Sequence, residues 1–465
     1  MKRLLWILAL AALIWAPAGA LAAGEPFVLT LSDSALLVSG QGQAVTQPGE
    51  YDYIERLGDG IFAAICLGEG QRSAWIIGED GQPALERAFE DVYAADGQIY
   101  AMENGLVGVL DQQLQWKIPA AYTQLVYDGQ SGYLALSSDP YDTRPDGVYY
   151  VDEQGVERAT GIRVQYGLSR FSEGLMPVMD GVSGRMGYLD RQGNWAITPQ
   201  YDYAGEFLNG VAEAALAAGA GYIDAQGNWL LTPKYAAVSR SMDQGGLVLA
   251  QENSGEVLLF SAPEFQLVKR FEGEDIYFFA AYSAELAVLY LDDCTQLIDA
   301  QGQVLVECGL EASFDAWGVQ DGRVLARLGS WGEDCVWLYD LEGNRVAGPW
   351  QDAWMLGKAG DQTLYAVSAF EVYESVDVDD AFHVYQEVDG TRTIQVVDQD
   401  GTQVIPQRSM LVLYMDDQGR LIYEDANGAG VMDLEGNQIC YFSLDQGEVS
   451  LDQGEVSPDQ EEAAG

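Results

Sequence analysis

Short apolar runs separated by polar, glycine-bearing turns recur along this chain, and the clearest example lies between Gly187 and Tyr201. There Tyr188 and Leu189 lead into Asp190-Arg191-Gln192-Gly193, and Trp195 and Ile197 lead out. The pattern predicts a strand, a tight turn and a second strand. Gly193 supplies the positive φ that closes a short hairpin, and the Asp190 carboxylate can accept from backbone N–H groups two or three residues on. Thr198-Pro199 is expected to end the second strand, because proline has no N–H to give to a ladder. From Gly221 to Tyr235 the pattern returns with ten of fifteen positions identical. Asp224, Gly227, Trp229, Pro233 and Tyr235 then stand where Asp190, Gly193, Trp195, Pro199 and Tyr201 stood. Upstream, Phe171-Ser172-Glu173-Gly174-Leu175 is echoed by Phe207-Leu208-Asn209-Gly210-Val211, which adds a further strand. Each copy reads as a meander of three or four antiparallel strands.

Equivalent turns can be placed at Ser39, Gly78, Asp111, Asp152, Asp190, Asp224, Ser261, Asp299, Asp340, Asp398 and Asp433, about 39 residues apart. Glycine follows three places later in nine of these; Leu114 and Glu264 break the rule, so those two turns are expected to close differently. Such a period, with several short strands per repeat, is the size of a propeller blade. The fold class is therefore all-β: tandem antiparallel β-meander repeats, propeller-like, with an open β superhelix as the alternative. Eleven units exceed the usual blade number, so two propeller-like halves are possible within residues 23–442.

The two central copies carry G-Y-x-D-x-x-G-N-W followed by Pro and Tyr, preceded by Phe-x-x-Gly and an apolar pair. In these residues the chain resembles the WG-repeat family of bacterial proteins. The resemblance implies a β-repeat protein, often exported, with no family-wide activity or catalytic residues to transfer.

Charge narrows the partners. Net charge is −49 at pH 7, a field that repels nucleic acid, anionic lipid and anionic wall polymers. A hydrophobic share of 48% still allows a buried core. Residues 1–22 join Lys2 and Arg3, an apolar run from Leu4 to Trp15, and Ala20-Leu21-Ala22, which reads as a cleaved secretory signal peptide. No later segment is apolar enough for stable membrane insertion. Residues 443–465 repeat SLDQGEV and are expected to form a disordered acidic tail.

Candidate chemistry is sparse. Trp116, Trp195 and Trp229 fall five residues after their index Asp, where packing between meanders is the expected role. Trp331, Trp337, Trp350 and Trp354 break that period, and Trp331, Trp350 and Trp354 are the tryptophan candidates for an exposed contact. An insertion between Ala369 and Thr391 brings Asp377, Asp379, Asp380 and His383 together with other acids. Its spacing does not match an EF-hand, so an acidic hairpin is expected rather than a Ca²⁺ site. His383 is the only histidine, which removes imidazole-based catalysis elsewhere and multi-histidine zinc sites. Five cysteines give no framework, though Cys294 and Cys308 could lie across one hairpin. No cofactor motif is present. The reading is a non-enzymatic extracellular module binding a protein or a neutral glycan; a glycan-acting hydrolase or lyase using paired carboxylates is the alternative.

Overall fold

The computed structural model describes residues 24–443 except 31–33, 41, 48, 69–70, 138–146, 241–245, 273–274, 284, 310–312, 315–320, 329–334, 369–374, 378–382, 386–391, 417–418 and 426. Residues 1–22 and the tail beyond 443 lie outside that range. Every regular element among the described residues is a β-strand. In chain order the strands form sheets at 24–40, 53–78, 91–122, 124–159, 175–201, 203–235, 237–271, 276–309, 313–350, 352–410 and 412–443, here numbered 1 to 11. Eight of these are four-stranded antiparallel meanders; sheets 2 and 5 have three strands and sheet 1 has two. The chain is thus an all-β, propeller-like succession of small sheets.

In the eight four-stranded sheets the index position falls at the end of the third strand, where the chain turns back into the fourth; Asp190 ends the second of the three strands of sheet 5, Gly78 the last strand of sheet 2, and Ser39 lies in the second strand of sheet 1. In sheet 5 the Asp190 N–H donates to the Asn194 carbonyl at 2.8 Å, and the Gly193 N–H donates back to Asp190 at 2.9 Å. The Asp190 carboxylate accepts the N–H groups of Gln192 and Asn194 at 2.9 and 2.8 Å, and Asp224 does the same for Gln226 and Asn228. Leu114 does not change this closure. It adopts φ 58° itself and donates to Asp111 at 2.9 Å, an unusual backbone state for a branched side chain. The turn after Ser261 is different, as expected: Phe265 takes the left-handed conformation and Ser261 pairs with Gln266.

Proline does not end the last strand of sheets 5 and 6. Trp195–Tyr201 and Trp229–Tyr235 each run through Thr-Pro, and the register shows how. Met186 faces Tyr201 while Tyr188 faces Ile197, so Gly187 alone opposes Thr198, Pro199 and Gln200 in a bulge. The outer edge of a sheet tolerates a residue without an N–H where the ladder is already interrupted. Gly187 is needed opposite: a Cβ there would lie 2.7 Å from the Ile197 carbonyl oxygen and 2.8 Å from the Pro199 nitrogen. Sheet 6 repeats this arrangement at Gly221 and Pro233, and sheet 3 has it at Gly108, where Val107 faces Tyr122 and Val109 faces Ile118.

Neighbouring sheets are joined by the same motif. Tyr201 of sheet 5 donates its hydroxyl to the Gly227 carbonyl of the next hairpin at 3.2 Å and meets the Trp229 ring edge-on at 5.7 Å. Tyr188 packs tilted against Phe207 with centroids 4.8 Å apart, and Trp116 meets Phe89 edge-on at 5.8 Å. Trp229 against Tyr201, and Trp195 packed on the cluster that holds Leu134 and Val148 of sheet 4, are the between-sheet packing anticipated for the periodic tryptophans.

Contacts group the chain into two compact units. One holds the chain through Ala88, Asp315–Asp340 and everything from Asn344 on; the other holds Phe89–Phe314 and Leu341–Gly343. Within the first unit the earliest sheet packs on the last: Phe27, Leu29, Leu36 and Val38 share a buried cluster with Ile422, Val431 and Phe442. An open superhelix would leave its first and last sheets apart.

Candidate binding cleft

Sheet 5 lacks a proper first strand, and a cleft opens where that strand would be. Its place is held by Val164, bridged to Asp180, with the Gln165 N–H on the Met179 carbonyl at 3.0 Å and the Gly181 N–H on the Arg163 carbonyl at 2.9 Å. In that pairing the N–H and C=O of Val164 itself turn away from the sheet. Beside it ends sheet 4, at Thr123, Gln124, Leu136, Ser137 and Gly147, and the two sheets enclose about 870 Å³.

The walls are held from behind. The Leu168 N–H donates to Gln124 Oε1 at 2.7 Å, fastening the 163–168 segment to sheet 4. On the other lip, the hairpin 180–185 is tied by Asp180, whose carboxylate accepts the N–H and hydroxyl of Ser183 at 2.8 and 2.6 Å. Partial burial pushes the Asp180 carboxyl up, but the bonds from Ser183 and from the Val182 N–H outweigh it and leave the pKa below the ordinary carboxylate value. Gly167 sits at φ 95°, and a Cβ there would meet Gln124 Oε1 at 2.6 Å, so the close approach of this segment to sheet 4 requires glycine.

What the cleft presents is one guanidinium, from the exposed Arg163, with side-chain amides, hydroxyls and two exposed apolar groups. Tyr166 is 79% and Val182 86% exposed. Among the described residues no carboxylate is in its lining, although the chain has 72. Such a surface can stack on a ring and exchange hydrogen bonds. The sequence pattern did not mark these residues. Nor could it: Ile162, Val164, Tyr166 and Leu168 alternate with Arg163, Gln165 and Gly167 as a strand would, yet the segment makes only the single bridge at Val164.

The tryptophan and acidic candidates do not assemble into a site among the described residues. Trp350 is only 8% exposed and packs with Leu325, Val336 and Leu338, so it offers no exposed contact; its pairing with buried Val336 across the sheet sets it there. Trp354 is half-buried and donates its indole N–H to the Leu413 carbonyl at 3.1 Å. Trp331, Asp379 and Asp380 lie outside the described residues. Asp377 and His383 are direct cross-strand partners in the hairpin Ser375–Asp377 and His383–Tyr385, inserted between the second and third strands of sheet 10. Among the described residues no group of three or more His, Cys, Asp or Glu could hold a metal. Cys294 pairs with Gly309 and Cys308 with Thr295, one step out of register, so the two thiols point to opposite faces and are not joined in a disulfide.

The family described as WG containing repeat matches residues 186–215 and 221–254, the two copies of the motif in sheets 5 and 6. No curated protein matches the chain. Among solved structures, BamB from Moraxella catarrhalis is 13% identical, with 64% of this chain and 92% of that one covered at a TM-score of 0.28. Dihydro-heme d1 dehydrogenase NirN in complex with DHE is 14% identical, covering 62% and 72% at 0.30. Kluyveromyces lactis Hsv2 is 12% identical, covering 52% and 93% at 0.28.

Proposed function

We propose that this chain, two of whose meanders match the WG repeat, is an exported, non-enzymatic binding module that holds a neutral glycan in the cleft between sheets 4 and 5. One observation carries the reading: an exposed tyrosine ring, Tyr166, lines a cleft whose described lining holds no carboxylate, in a chain of net charge −49. A phenol face stacks on the C–H side of a sugar ring, while Gln124, Gln165 and Ser183 supply hydrogen bonds for its hydroxyls. The surrounding field repels polyanions and is indifferent to uncharged polymers. The residues that define the repeat are meanwhile occupied in turns and packing, as Asp190 and Tyr201 are. Export follows from residues 1–22, and intact mass of the exported protein is expected to begin at Ala23.

The test is calorimetric titration with a panel of neutral oligosaccharides. Tyr166→Ala is expected to weaken the best ligand at least tenfold with unchanged Tm, and Tyr166→Phe to keep the affinity. Equal binding by Tyr166→Ala, or turnover of the bound saccharide that a single Asp→Asn change abolishes, overturns the proposal.

A further inference from the structure

A second exposed surface lies at the start of sheet 8, well away in sequence from the cleft. In the strand Ile276–Ala281, Ile276 faces Leu291 and Phe278 faces Tyr290, so Tyr277 is an extra residue in a bulge. The bulge interrupts the in-out alternation. As a result two adjacent aromatic side chains reach solvent together, Tyr277 at 65% and Phe278 at 57% exposure. Both rings lean on a third, Tyr290, with centroids at 6.4 and 5.5 Å. Tyr290 is steadied in turn by the hydroxyl of Tyr282 at 3.4 Å, and Tyr282 can donate to the Phe314 carbonyl.

Carboxylates rim this platform. Glu272 and Asp275 precede the strand, and because Ile276 faces Leu291, the exposed Asp292 and Asp293 lie across from Asp275. Among the described residues none of these four is in an ion pair, whereas carboxylates elsewhere in the same unit are, as Glu252 and Glu256 are with Arg270. Aromatic faces attract cations through their ring quadrupole, and neighbouring acids add to that attraction.

We propose that the Tyr277-Phe278-Tyr290 platform docks a lysine- or arginine-bearing segment of another protein. Charge selects this occupant. A second copy of the chain brings another −49 and is repelled, as are anionic lipid and nucleic acid. A basic segment is drawn in by the whole molecule and finds here adjacent ring faces beside acids that form no ion pair among the described residues.

An octalysine peptide is the probe, titrated into the full chain at 300 mM NaCl, where diffuse surface attraction is screened. The Tyr277→Leu/Phe278→Leu double variant keeps apolar bulk and removes both rings, and is expected to bind at least tenfold more weakly. Asp292→Asn/Asp293→Asn is expected to bind severalfold more weakly, and Tyr166→Ala to bind as the unsubstituted chain does, which separates this surface from the cleft. Tyr277→Phe/Phe278→Tyr keeps both rings and is expected to retain binding. Equal affinity of the leucine variant and the unsubstituted chain overturns the proposal, and so does a platform that binds neutral oligosaccharides but not octalysine.

Discussion

At the scale of single residues, the turn glycines meet two demands, and the structure separates them. Gly193 has φ 72°, and a Cβ on it would lie 2.7 Å from Thr160 Cγ2 and 3.0 Å from Leu134 Cδ2, in the preceding sheet. Gly210 has φ 76° with nothing within 4 Å. An alanine at Gly210 meets only the backbone penalty, about 1–2 kcal/mol. An alanine at Gly193 adds crowding of about 1–3 kcal/mol. Urea denaturation is expected to rank Gly193→Ala well below Gly210→Ala; equal midpoints would mean that the hairpin does not seat on its neighbour. Glu213 offers a pH readout. Burial beside Tyr188 and Tyr203 raises its pKa above the ordinary carboxylate value. With the folded pKa raised, its contribution to stability is fully present below the unfolded value and is lost as pH rises through the folded one. Glu213→Gln is therefore expected to melt higher than the unsubstituted chain at pH 7, with the difference shrinking toward pH 4. A difference that grows on acidification would contradict burial as the cause.

At the scale of the element, the hairpin was legible and the bulge beside it was not. Asp190, Gly193 and the flanking apolar pairs announce strand, turn and strand from local chemistry alone, because each acts within four residues. Pro199 looks like a strand stop by the same local logic. Its actual place depends on Gly187, twelve positions earlier on the facing strand, which leaves room for three residues to oppose one. Leu114 misled in the same way: side-chain identity argues against a left-handed turn, but the shared hydrogen bonds of the hairpin hold it there. The cleft escaped notice because it is built from a missing strand: residues 163–168 alternate as a strand would, with Val164, Tyr166 and Leu168 apolar, but form only one bridge, to Asp180. From the bulge it follows that Pro199→Ala is expected to change unfolding free energy by less than about 1 kcal/mol, since no ladder bond depends on that nitrogen. Gly187→Ala, with its Cβ against backbone atoms that cannot swing aside, is expected to cost about 2–4 kcal/mol. Chemical denaturation of the two variants checks both, and a Pro199→Ala loss equal to that of Gly187→Ala would show that proline itself shapes the outer strand.

At the scale of the whole molecule, periodicity tells how many sheets to expect and nothing about how the ends are joined. The contacts that join them occur once and span nearly the full chain, so no repeat carries their signature. They centre on Arg420, whose guanidinium lies 4.4 Å from the Phe27 ring centroid and bonds through Nε to Asp416 Oδ2 at 2.8 Å. Asp416 Oδ1 also accepts the Arg420 N–H at 2.9 Å, and both side chains are buried. A buried pair of this kind costs desolvation on both sides, so breaking it is far worse than removing it. Arg420→Met leaves an uncompensated carboxylate under Phe27 and is expected to destabilise by about 3–5 kcal/mol. Asp416→Asn/Arg420→Met removes the charge, keeps an acceptor for the turn N–H and lets a methionine lie against Phe27; it is expected to return to within about 1.5 kcal/mol of the unsubstituted chain. Urea titration of the single and double variants reads the difference directly. If the double variant is no more stable than the single, the seam is held by apolar packing of Phe27, Leu29 and Phe442 alone and the ion pair contributes nothing to it.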